Sequence, residues 1–184
     1  MKFRLLAATR PLAAATLLAS CVVAHAAPIV YSGNLNGAVE SPANASPGTG
    51  TTVVSYDAAT HMLTVQATYS ALTGTVSMAH IHCCVPTAGS GSAGVATQVP
   101  SFMNFPSATA GTYSMAFDLT MSGSWNPGFI TANGGTTAGA EAAFAAALAG
   151  DKAYLNIHTS TFPAGEIRSF LTPDVVFANG FESS

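Results

Sequence analysis

Apolar and polar positions alternate along much of this chain in short runs, separated by small polar residues. Leu63, Val65, Ala67 and Tyr69 alternate with Thr64, Gln66 and Thr68. Tyr113, Met115, Phe117 and Leu119 alternate with Ser114, Ala116, Asp118 and Thr120. Ala153, Leu155 and Ile157 alternate with Tyr154, Asn156 and His158. A period of two puts alternate side chains on opposite faces of a strand. Residues 51–56 form a Thr/Val strand, joined to the next by a hairpin loop at 57–61. Residues 76–82 and 166–172 read as further strands, and 41–50 and 87–94 as loops of small residues. Phe102, Phe105 and Pro106 are placed to cover one end of the core. One helix is expected, over 138–149: alanine dominates, Phe144 and Leu148 sit four apart, and Gly150 stops it. The pattern predicts an all-β fold, an antiparallel β-sandwich of seven to eight strands with one short helix.

The start of the chain has a different pattern. Lys2, Arg4 and Arg10 precede an almost wholly apolar run at 12–23, and Ala24-His25-Ala26 follows. These are the three parts of a secretory signal, with cleavage expected between Ala26 and Ala27. Leu18-Ala19-Ser20-Cys21 also resembles a lipobox, which would make Cys21 a lipid anchor of an outer-membrane lipoprotein. The apolar run continues through Val22 and Val23 to a good cleavage site, so ordinary cleavage is favoured. No second apolar stretch of about 20 residues appears, so no transmembrane span is expected. The expected organisation is a signal at 1–26, one domain at 27–172 and a short tail at 173–184, in a secreted or periplasmic protein. The tail resembles the Phe-x-Asn-Gly-Phe-Glu ends of some exported bacterial proteins.

Composition narrows the function. Only 7% of the 184 residues are charged, and 49% are apolar. Beyond position 26 the basic residues are Lys152 and Arg168, against eight acids. That excludes a basic nucleic-acid surface and a polybasic membrane patch. Thr and Ser fill the polar faces of the strands instead.

Three stretches carry a family resemblance. Leu35-Asn36-Gly37-Ala38-Val39-Glu40-Ser41-Pro42 comes first, Ala79-His80-Ile81-His82 second, and Leu155-Asn156-Ile157-His158-Thr159 with Pro163-x-Gly165-Glu166-Ile167-Arg168 third. Together they resemble the CHRD (chordin-type) domain family, in order, over about residues 29–171. Cys83-Cys84 stands where the common pattern has Gly-Pro, which resembles a cysteine-bearing bacterial subgroup. The resemblance implies an extracellular or periplasmic β-domain without an established catalytic activity. In animals the domain occurs in an extracellular growth-factor antagonist. It marks Glu40, Asn156, Gly165, Glu166 and Arg168 as motif residues.

The chemistry centres on histidine. His80 and His82 share one strand face, about 6.5 Å apart along the chain, a spacing at which both rings reach one ion. His158 lies on another strand. If the strands adjoin, three imidazoles suit Cu²⁺ or Zn²⁺, with a thiolate or water completing the shell. The competing reading is a polar cap on the sheet, with Glu166 and Arg168 as hydrogen-bond partners, or a network with Tyr154 and Asn156. His-x-His on a strand also resembles copper/zinc superoxide dismutase. Only His61, His80, His82 and His158 lie beyond the leader, too few for a two-metal site.

Cys83 and Cys84 have three readings: a vicinal disulfide that shapes the loop, thiolate ligation beside the histidines, or a redox or intermolecular role. No hydrolase, glycosidase or P-loop signature is present. The sequence therefore predicts a binding or structural module with an extracellular protein or matrix partner and no catalytic residues. The alternative is a small copper or zinc protein using His80, His82 and His158, with Cys83 or Cys84 as a further candidate ligand.

Overall fold

The computed structural model describes residues 26–174. Residues 1–25, which hold nearly all of the expected signal and Cys21, and the tail beyond Asp174 lie outside the described residues. Among the described residues there are eight strands: β1 (Ile29–Asn36), β2 (Thr49–Asp57), β3 (Met62–Ser70), β4 (Val76–Cys83), β5 (Gly111–Asp118), β6 (Ala153–Thr159), β7 (Ile167–Phe170) and β8 (Thr172–Pro173). All pair antiparallel in one sheet of order β4-β6-β7-β1-β2-β3-β5, with β8 also on β1. The sheet curls so that its two wings share one core, as the layers of a sandwich do. Val54, Val65 and Leu63 from one wing and Ile81, Leu155 and Ile157 from the other belong to the same buried cluster. The all-β antiparallel expectation is borne out.

The hairpin of β2 and β3 follows the alternation. In β3, Leu63, Val65, Ala67 and Tyr69 are buried, while Gln66, Thr68 and Ser70 are exposed. His61 at its turn takes a positive φ of 57°.

The expected helix is α2 (Thr137–Ala149). The Thr136 hydroxyl caps it by accepting from Gly139 N, and Gly150 ends it. Phe144 and Leu148 are fully buried, and Phe144 meets Trp125 edge-on at 5.6 Å. A single helical turn pair, α1 (Pro127–Ala132), precedes it, started by the Asn126 cap and Pro127 at the first position. Six residues carry too little periodicity to show in the sequence. No described helix is long and apolar enough to cross a membrane.

Two departures shape the site. The free edge of β4 is covered by residues 94–102, which bond to Cys83, Ile81 and Ala79. The segment has no alternation to announce it. Strand β6 is buried at all seven positions, so its polar face is covered too.

Candidate metal centre

The covered face is built by register. His80 stands opposite Asn156, which stands opposite Arg168; His82 stands opposite Tyr154 and then Phe170; Met78 stands opposite His158. Residues opposed in a ladder share a face. The other face of these strands carries Ala79, Ile81, Leu155 and Ile157 into the core. The strands therefore separate an apolar side from a histidine-rich side by alternation alone.

His80, His82 and His158 each offer a ring nitrogen, and the three nitrogens lie within 4.8 Å of one another. All three residues are buried. Three nitrogens on one ion at bonds of about 2.0–2.1 Å stand about 3.3–3.6 Å apart. Ligation therefore draws the widest-spaced rings together by about an ångström.

The ring tautomers follow from the hydrogen bonds. His82 Nδ1 lies 2.9 Å from the Ala93 carbonyl oxygen, and His158 Nδ1 lies 3.0 Å from that of Pro163. A carbonyl only accepts, so each Nδ1 carries the proton and each Nε2 presents a lone pair in the neutral ring. Burial pushes the pKa of His80 down to about 3, assisted by the neighbouring His82 and His158. Burial also lowers His82 to about 4 and depresses His158, in each case against the carbonyl bond that raises it. The rings are thus neutral at pH 7, the form that ligates.

His80 Nδ1, His82 Nε2 and His158 Nε2 are buried and have no hydrogen-bond partner. A buried polar atom left unpaired costs about 1–3 kcal/mol. One such atom on each residue of the three-histidine cluster points to an occupant. His82 is held further by Tyr154, whose ring lies on it at 4.8 Å and 5°. The Tyr154 hydroxyl in turn accepts from Ala93 N and donates to Ala93 O.

The motif residues surround this centre but do not bond to its rings. Buried Arg168 donates from Nε to Val39 O at 2.6 Å and lies 3.8 Å from Glu40 Oε2. Its guanidinium covers the Tyr154 ring at 4.6 Å and reaches Ser92 Oγ at 3.5 Å. Arg168 thereby pins two covering loops onto the histidine face. Burial pushes the Glu40 carboxyl up to about 7, against the lowering pull of Arg168, Asn156 and the Ser41 backbone.

Gly165 has φ +130°, and a Cβ there would meet Asn156 Nδ2 at 2.6 Å and Glu40 Oε1 at 2.8 Å. Only glycine lets the 160–165 turn approach so closely. Glu166 faces away from the histidines. Its carboxylate accepts from Ser46 Oγ, Thr73 N, Thr73 Oγ1 and Thr159 Oγ1 at 2.6–2.9 Å. The expectation that Glu166 and Arg168 supply hydrogen bonds to the histidines is therefore corrected: backbone carbonyls do so.

The cysteines are not part of the centre. Cys83 and Cys84 form a vicinal disulfide, and Cys83 packs in the core on the face opposite His82. Cys84 Sγ lies 3.9 Å from Ala143 O of α2. Among the described residues the gathered ligand group is the three histidines alone. The thiolate-ligation expectation for Cys83 and Cys84 is corrected accordingly. His61 is also elsewhere, with Nδ1 2.9 Å from Glu141 Oε2, while Tyr56 donates to Glu141 Oε1. The Ala93 and Pro163 carbonyls could not be found from the sequence, because any residue supplies a carbonyl.

Fold and site together define a class: a curled antiparallel domain with a buried histidine face beneath its loops. The family model of the CHRD domain matches residues 31–171, and the chain belongs to the CHRD domain family. Comparison with curated proteins and with solved structures finds no significant match.

Proposed function

We propose that this chain is an exported bacterial CHRD-domain module without catalytic activity, whose binding role is to hold one copper or zinc ion through His80, His82 and His158. The observation that carries the reading is a cluster of three buried histidines, each with one buried, unpartnered ring nitrogen. Neutral rings, two of them oriented by backbone carbonyls, are the arrangement a metal-binding histidine needs. Export is supported by the three-part leader and by the typically extracellular setting of CHRD domains. A second reading has the module present its loops to an extracellular protein or matrix. An open cavity of about 560 Å³ beside β1, β2 and Phe170, lined by Asn34, Thr51 and Thr172 among others, favours it.

Elemental analysis of purified protein, beside a His80→Ala/His82→Ala double variant, separates the two. About one equivalent of copper or zinc per chain, lost in the double variant, is the expected result. Absence of metal after controlled reloading would overturn the metal reading and leave the partner-binding module.

A further inference from the structure

We infer that the histidine face is suited to monovalent copper, with the Met78 thioether as a fourth, soft ligand; this rests on reading the three histidines as a metal site. Met78, His80 and His82 follow one another at two-residue steps on β4 and share its face. In register, Met78 stands directly opposite His158. Opposed residues have Cβ atoms about 4.5–5.5 Å apart, and a methionine side chain extends well beyond its Cβ. A thioether at this position is therefore long enough to enter the space that His158 lines. Met78 is half-buried, unlike the well-exposed Met103 and Met121.

Charge favours the same ion. Three neutral imidazoles bring no negative charge to a buried cation. Arg168 adds a positive charge over Tyr154, which stacks on His82. Glu40, whose Oε2 lies 3.8 Å from Arg168 Nε, is not among the gathered ligand group. The cost of burying an ion rises with the square of its charge, so a monovalent ion is penalised about one quarter as much as a divalent one of equal size. A thioether is a soft donor that selects Cu⁺, and imidazole suits copper in either state. Three nitrogens and one sulfur meet those preferences without a carboxylate.

The test is anaerobic titration with Cu⁺ in competition with bicinchoninate, and a parallel Zn²⁺ titration against a chromophoric chelator. Wild type, Met78→Leu and His80→Ala/His82→Ala are compared. Leucine keeps the volume of methionine, and the zinc titration reports that the histidines are still in place. One Cu⁺ per chain is expected, held more tightly than Zn²⁺. Met78→Leu should weaken Cu⁺ by at least about tenfold and leave Zn²⁺ within about twofold. X-ray absorption should show a copper–sulfur shell that disappears in Met78→Leu. An unmoved Cu⁺ affinity in Met78→Leu, or Zn²⁺ held as tightly as Cu⁺, overturns this inference while the trihistidine reading stands. Equal metal binding by wild type and the double histidine variant overturns both.

Discussion

Glu166 makes a sharp test of how this domain is held together. Its carboxylate is inaccessible to solvent and accepts four hydrogen bonds from three separate stretches of chain: Ser46, Thr73 and Thr159. Oε1 takes three of them and Oε2 takes one. Hydrogen bonds to a charged group contribute about 1.5–3 kcal/mol each. Glu166→Gln keeps a carbonyl oxygen for the three-bond position and loses the Thr159 bond, because Oε2 becomes an amide. The expected cost is about 1.5–3 kcal/mol. Glu166→Ala removes all four acceptors and strands the Thr73 N–H, which cannot rotate toward another partner. Allowing for non-additivity, the cost is about 4 kcal/mol or more, a large part of the ~5–15 kcal/mol that stabilises a domain. Burial raises the Glu166 pKa, but the bonds from Ser46, Thr159 and Thr73 outweigh it and hold the group below its ordinary value of 4.5. A carboxyl with a depressed folded pKa stabilises fully above its unfolded value and loses that contribution as pH falls through the folded one. The gap between wild type and Glu166→Gln should therefore be widest near neutrality and narrow below about pH 4.5. Urea unfolding followed by the emission of Trp125, the single tryptophan, reads all of this. An alanine variant within about 1 kcal/mol of wild type at pH 7, or a glutamine variant as costly as alanine, would refute the clamp.

Three further outcomes are expected. Gly165→Ala must force a side chain into the left-handed region and onto Asn156 and Glu40, costing at least about 2 kcal/mol in denaturant unfolding; a neutral result contradicts the tight approach of that turn. Phe144→Ala should cost about 3–5 kcal/mol by the same assay, because the fully buried ring joins α2 to Trp125 and the sheet. Bound metal at a free concentration one hundred times its dissociation constant should stabilise the domain by about 2.7 kcal/mol, and the His80→Ala/His82→Ala variant should gain nothing; equal shifts in both would place binding elsewhere.

Much of the architecture was legible because it is periodic. The β3 alternation, the Ala-rich helix with its Gly150 stop and the hairpin at 57–61 each express a local rule, and each appears within a residue or two of its expected limits. The convergence of His80, His82 and His158 was legible only as a condition, since the sequence does not state that β4 and β6 adjoin. Burial of the histidine face was not visible. Alternation identifies two faces, but whether loops cover the polar one depends on Arg168, Asn44 and Gly165 acting across more than a hundred residues. The role of Glu166 was missed for the same reason, as Ser46 and Thr73 lie 120 and 93 residues from it in the chain. Cys83 and Cys84 were near the histidines in sequence, yet the strand's own alternation separates Cys83 from His82.

The order of strands has a consequence for how the domain assembles. β6 and β7 lie between β4 and β1 in the sheet, although they are made after all the strands around them except β8. Until they insert, β1, β2, β3 and β5 can zip into a ladder of neighbours, while β4 has only the 94–102 segment beside it. The two wings then have no strand pairing between them. Pairing β4 with β6 joins residues 76 and 159, a contact of high sequence separation that is slow to form. A nascent chain stopped before residue 153 exposes the inner edge of β4 and its apolar Ala79 and Ile81, a surface open to mispairing. The late strands act as a closing seam, and the histidine cluster comes into being only when that seam is drawn shut.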